Sequence, residues 1–256
     1  MGDHGFFVTL PSNACGKTFP NNKSSAYTIQ LARALDLPGA WEVGLVEIQY
    51  PHSWDTVTTD AQFELCTADM EHRFHYVLNP GYYADIPELL ESMNRLIHHD
   101  AQAFLHYSPV TRKIILLHHD NMSKKNSAKP TEKFYLKCDA QLGNILGLLP
   151  DQSVKIAPFP ADITAGFNSL YIYTDIVEHQ IVGDFYVPLL RCVPVRGENN
   201  ECVTIGYDKP HYIPISKDHI DTITIEIKND QNKNIPFRFG KVTVKLHFRP
   251  RRTFVF

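Results

Sequence analysis

DTITIEIK (221–228) and KVTVKLHF (241–248) decide the fold class. In the first, Ile223, Ile225 and Ile227 share one face, and Thr222, Thr224, Glu226 and Lys228 the other. In the second, Val242, Val244, Leu246 and Phe248 alternate with Lys241, Thr243, Lys245 and His247. A period of two is that of a strand with one face on a core and one in water. NDQNKN (229–234) supplies a turn region between them. Burial of each aliphatic is worth roughly 1.5–3 kcal/mol over exposure, so this pair is expected to be rigid.

The same alternation recurs outward from this pair. Strands are predicted at 6–10, 26–31, 41–51, 62–67, 72–78, 103–108, 112–119 and 133–138, and again at 169–176, 186–195, 201–207 and 211–215. In WEVGLVEIQYP (41–51), Trp41, Val43, Leu45 and Glu47 are placed on one face, with Glu42, Val46 and Ile48 on the other. Two stretches change period. Ile86, Leu89, Leu90, Met93, Leu96 and Ile97 follow helical spacing over 86–97, with Pro87 where a missing N–H costs nothing. A shorter helix is predicted over 140–149, closed by Pro150. About a dozen strands, two short helices and no βαβ alternation predict an all-β chain. The expected architecture is a single jelly-roll β-sandwich domain over 1–256, with short helical insertions in its connections.

Composition narrows function. The formal net charge is −3, which does not suit a general nucleic-acid binder. The N-terminus has neither a basic start nor an apolar run of signal-peptide length, and Phe6 stands where a myristoylation pattern wants Ser or Thr. No stretch approaches the roughly 18 apolar residues of a membrane span. The five cysteines are scattered; Cys192 and Cys202 flank a turn candidate, and nothing in the sequence signals an oxidising compartment that would join them.

Chemical motifs are sparse. LIHHD (96–100) and LLHHD (116–120) each contain His-x-Asp, the first half of a two-His-one-carboxylate iron site. His118 and Asp120, at a predicted strand end, make the better metal pair; His179, His211 and His247 are the distal candidates. None has a basic partner spaced for a co-substrate carboxylate, so the pairs read as solvated histidines closing a helix and a strand, and no metal or other cofactor is expected. No Gly-x-Ser-x-Gly elbow occurs, and Gly16-Lys17-Thr18 lacks the upstream glycine of a phosphate loop, Pro11 standing there. The end, FRPRRTFVF (248–256), is basic and then apolar. Pro250 is expected to end the last strand. The sequence predicts an arm over 249–256 in which Arg249, Arg251, Arg252, Phe254 and Phe256 meet a neighbouring subunit or packaged nucleic acid.

Six longer segments carry a family resemblance: FFVTLPSN (6–13), WEVGLVEIQYP (41–51), GYYADIPELLESMN (81–94), GFNSLYIYTDIVEHQIVGD (166–184), PHYIPI (210–215) and FRFGKVTVKLHFRPRR (237–252). The chain resembles the penton-type minor capsid proteins of Polinton (Maverick) DNA transposons and the related adintovirus-like elements. Cys15 and the duplicated His-His-Asp are not features of that family. The resemblance implies a structural, non-catalytic jelly-roll protein that forms homopentamers at icosahedral vertices. It also implies a double-jelly-roll major capsid protein as partner, no membrane, and residence in a virion assembled in the host nucleus or cytoplasm.

On this reading the connections 11–25, 79–100 and 150–168 carry subunit contacts, Phe237→Ala unfolds the sandwich, and truncation after Phe248 spares folding but weakens assembly. Two other functions compete: a jelly-roll metal-dependent oxygenase, and a host-reused lectin-like binding module. For the latter, Trp41 and Trp54 are the sugar-stacking candidates, with Trp41 expected in the core and Trp54 in a strand-end loop.

Overall fold

The computed structural model describes residues 5–67, 72–97, 103–118, 134–150 and 152–251. The chain forms two compact units, Met1–Trp54 with Phe167–Phe256, and Asp55–Gly166.

The first unit holds β1 (Phe6–Pro11), β2 (Ala26–Asp36) and β3 (Trp41–Pro51), then β9 (Ser169–Thr174), β10 (Gln180–Val182), β11 (Phe185–Val187), β12 (Leu189–Pro194), β13 (Cys202–Gly206), β14 (Tyr212–Pro214), β15 (His219–Lys228) and β16 (Thr243–Pro250). Two sheets contain nine of these, eight of them along the two main strand orders. The first runs β1-β16-β3-β13, with β14 also pairing β3; the second runs β12-β9-β15-β2. All pairings are antiparallel. Counting only sandwich strands in chain order, the two sheets read 1-8-3-6 and 5-4-7-2. That interleaving, in which the chain changes sheet at every step except from the fourth strand to the fifth, is the eight-stranded jelly roll.

The two stretches that announced the fold do not pair with each other. β15 lies in the second sheet and β16 in the first. Ile223, Ile225 and Ile227 nevertheless join Val244, Leu246 and Phe248 in one fully buried core. The chain from Asn229 onward turns locally, with Lys233 N–H bonded to Asn229 Oδ1, and then changes sheets.

The alternation in β3 breaks where the sequence reading assumed it would continue. Lys245 pairs with Glu47 but Leu246 with Leu45, so Val46 is an extra residue, a β-bulge. The bulge shifts the phase by one. Val43 and Leu45 before it and Ile48 and Tyr50 after it are all buried, while Glu47 faces outward. The expectation that Ile48 lies opposite Leu45 is thereby overturned.

The predicted strand 186–195 divides at Pro188, which has no N–H for a ladder. Its carbonyl accepts the Thr174 N–H at 3.2 Å.

Trp54 is buried, stacked on Tyr50 and edge-on to Phe167 and Phe237, whereas Trp41 is only half-buried at a strand start. Trp54 does lie in a strand-end loop, as expected, but buried and with no open face for a sugar, while Trp41 only borders the core it was expected to join.

The second unit has its own core. It contains β4 (Ala61–Thr67), β5 (Arg73–Leu78), α1 (Ile86–Leu96), β6 (Ala103–Ser108), β7 (Lys113–His118), β8 (Phe134–Cys138) and α2 (Ala140–Leu146). β4 is central to a three-stranded sheet, β5-β4-β8, and β6 pairs β7. The segment 154–157 stitches β7 and β8 through Leu116 N–H to Lys155 O and Leu136 N–H to Val154 O. α1 begins as predicted: Asp85 Oδ1 caps Glu88 N–H and Glu88 Oε2 returns to Ala84 N–H, a reciprocal cap. It buries Ile86, Leu89, Leu90 and Met93. α2 stops three residues short of its predicted end. Gly147 adopts φ 74°, and its N–H bonds Gly143 O, closing the helix before Leu148.

Phe248 is fully buried, but Phe237 only partly, so the expectation that Phe237→Ala unfolds the sandwich is too strong. Phe248→Ala is expected to cost about 3–5 kcal/mol, and Phe237→Ala about 1–2 kcal/mol. Urea unfolding of the two variants checks the order.

Candidate assembly surfaces

The C-terminal residues expected to form an arm are partly built into the sheet. Arg249 pairs with Glu42 and Pro250 with Trp41, and Arg251 N–H donates to Ala40 O at 2.8 Å. Pro250 is tolerated because neighbouring residues of a strand point their N–H groups to opposite sides. Arg251 points its N–H at β3, so Pro250 faces the β1 side, where pairing ends at Phe6–Phe248. The strand therefore runs through Pro250 instead of stopping before it. Arg252, Phe254 and Phe256 lie outside the described residues.

Arg249 belongs to a side-chain network on the outer face of the first sheet. Its Nε meets Glu42 Oε1 at 2.6 Å, and its guanidinium lies 3.4 Å from the ring centroid of Tyr212. The Tyr212 hydroxyl is 2.8 Å from His247 Nδ1, and the imidazole stacks 4.6 Å from the Phe7 ring. Gly5 is required beside it, since a Cβ there would strike the imidazole. Burial, with the nearby Arg249 charge, holds the His247 pKa below its usual 6.5. In its neutral form with the proton on Nε2, the ring accepts the Tyr212 O–H at Nδ1. The network ties together β1, β3, β14 and β16, so Arg249 is a framework residue before it is a contact residue.

The three connections expected to carry subunit contacts differ in character. In 11–25, Asn22 is anchored both ways to Thr28, through Nδ2 to O at 2.8 Å and Oδ1 from N–H at 2.9 Å, and Ser24 Oγ reaches Gly240 O. In 79–100, described to residue 97, α1 and β6 border an open groove of about 710 Å³ floored by Leu90 and Leu105. Asn94 fixes its wall through two hydrogen bonds with the Leu105 backbone. The stretch 150–168 exposes Ile156 and Phe159.

One exposed apolar feature among the described residues has no counterpart in the sequence reading. β10 and β11 form a two-residue hairpin around Gly183-Asp184, exposing Ile181 at 79%, Phe185 at 63% and Tyr186 at 70%. The signal was present: a Gly-Asp pair between short β-branched and aromatic runs is a hairpin turn sequence.

The metal pair falls largely outside the description. His118 ends β7, but its side chain, like His98, His99, Asp100, His119 and Asp120, lies outside the described residues. Among the described residues no three His, Cys, Asp or Glu side chains gather as metal ligands. Of the distal candidates, His247 is engaged by Tyr212, and His179 packs against Tyr186. Cys192 and Cys202 are free and exposed, on strands of different sheets. No helix among the described residues is long and apolar enough to cross a membrane.

No family model matches the chain, and no curated protein matches it. Among solved structures, it is similar to the selenomethionine-labelled mavirus penton protein. The TM-score is 0.53 at 10% identity, over 97% of this chain and 100% of that one. At such identity the likeness is one of fold, and the fold is that of a penton-type jelly roll.

Two outcomes follow from the outer-face network. A histidine whose folded pKa is lowered stabilises the fold above its unfolded value of 6.5, and that stability is lost as pH falls from there toward the folded pKa. The wild-type urea midpoint is expected to fall between pH 7.5 and 5 by more than that of His247→Gln. Truncation after Phe248 removes Arg249 and two ladder positions. It is expected to cost about 1–2 kcal/mol more than truncation after Arg251, which thermal unfolding resolves.

Proposed function

We propose that the chain is a structural minor capsid protein, a penton, five copies of which close each vertex of an icosahedral particle encoded by a Polinton or Maverick-type element. The observation that carries this reading is the eight-strand jelly-roll order together with its end-to-end likeness to the mavirus penton protein. The role is assembly, not catalysis. Its partners are further copies of itself and the double-jelly-roll major capsid protein of the same element. It resides in the virion, after assembly in the nucleus or cytoplasm of the host cell.

A fivefold ring uses head-to-tail contacts, so each subunit presents two different complementary patches. A net charge of −3 keeps repulsion between five copies small. We treat 1–256 as one elaborated jelly-roll domain, in which 55–166 is an insertion carried by the connection from β3 to β9. The connections 11–25, 79–100 and 150–168 are its contact segments. Arg251, Arg252, Phe254 and Phe256 form a terminal arm that meets a neighbouring subunit or packaged DNA.

Native mass spectrometry of the purified protein at micromolar concentration tests the reading, since it reports subunit number and bound metal together. A metal-free species of five chains is expected. A chain that stays monomeric both alone and with the major capsid protein overturns it. A monomer with one metal ion that disappears in His118→Ala replaces it with the oxygenase reading.

A further inference from the structure

The β10–β11 hairpin is poorly suited to standing alone. It is a two-stranded ribbon with three residues on each strand, pairing with no other strand. Such a ribbon is marginal in water without a surface to pack on. None of its residues joins the sandwich core, yet it holds Ile181, Phe185 and Tyr186 open to solvent. Its base is fixed: the Gln180 amide bonds Leu189 O, and the His179 ring packs 5.3 Å from the Tyr186 ring. From Ile176 to Val187 the chain has two acids, Glu178 and Asp184, and no lysine or arginine.

The same unit contains a surface of complementary character. A cleft of about 560 Å³ opens between the start of β2 and the β15–β16 connection. Ile235, Pro236 and Phe237 give it apolar walls, Ser24 adds a hydroxyl, and the exposed Lys23 and Arg238 line its rim.

Hairpin and cleft lie at opposite ends of the second sheet. β9 ends at Thr174 opposite Ile225, and the chain toward the hairpin passes Ser216 and Pro214, just before β15 begins. The cleft sits where β15 finishes, with Ile235 N–H bonded to Ile227 O. A ten-residue strand spans about 30 Å, so the two surfaces cannot meet within one copy.

We infer that the β10–β11 hairpin of one copy docks in the Lys23–Arg238 cleft of a second copy, forming the head-to-tail contact of the ring. This rests on the reading under Proposed function. Charge complementarity selects the occupant: the Asp184 carboxylate at the hairpin turn, with Glu178 just before β10, faces a cleft that Lys23 makes cationic. The area is of the right order. Three large side chains about two-thirds exposed supply ~400 Å², half of the roughly 800 Å² that each partner buries in a standard interface.

Sedimentation velocity across a concentration series tests it. Wild type is expected to form the ring. Ile181→Ser with Phe185→Ser, outside the core and expected to keep the wild-type melting temperature, is expected to shift assembly to at least about tenfold higher concentration. Asp184→Lys and Lys23→Glu are each expected to weaken it, and the two together to recover most of the loss. A ring that persists unchanged in the Ser variant, or a charge exchange that recovers nothing, overturns the docking contact and leaves the proposed function standing. A wild-type chain that is monomeric throughout the series overturns the contact too, and co-assembly with the major capsid protein then decides the function separately.

Discussion

The sandwich depends on one constraint: the apolar stripes of β15 and β16 must bury each other's faces from opposite sheets. Ile223, Ile225 and Ile227 on one side, and Val244, Leu246 and Phe248 on the other, are all solvent-free. Two strands so close in sequence would make a hairpin by default, with both stripes facing the same way. Placing them in different sheets turns the stripes toward one another and forces the intervening chain to cross between layers. Once that is fixed, β16 has β1 and β3 beside it and β15 has β9 and β2, and the jelly-roll order follows.

Much of this was legible in the residues. Alternation located the strands because one face of each sheet is wet, and helical spacing with Pro87 near its start located α1. What failed had local physical causes. The bulge at Val46 reversed the faces of β3, and no residue type announces a bulge by itself. Pro250 read as a stop because the sequence does not say which side of the strand is paired. Trp54 read as a loop residue and is one, but it is a buried loop residue, held by Tyr50, Phe167 and Phe237 from three distant segments.

The residues proposed for assembly were less legible than the fold. Arg249 was singled out for its charge in a basic tail, whereas its charge is spent on Glu42 and its plane on Tyr212. The hairpin was passed over because its two strands are only three residues each, too short for periodicity to register. A surface that binds a partner also carries no internal pattern, since its complement is on another molecule. Exposure of large apolar side chains in the folded chain was the missing information.

The placement of β16 between β1 and β3 has a consequence for synthesis. β1 and β16 are about 240 residues apart in the chain, and among the described residues β1 has no other partner in its sheet. Contacts of such long sequence separation slow folding. On the ribosome the first sheet must wait with an unfilled slot until residues 243–250 emerge. The slot is then filled by a strand whose outward side chains, Lys245, His247 and Arg249, complete the outer face in the same step. The outer face that carries the Arg249–Tyr212–His247 network is thus finished only once residues 243–250 have joined the sheet.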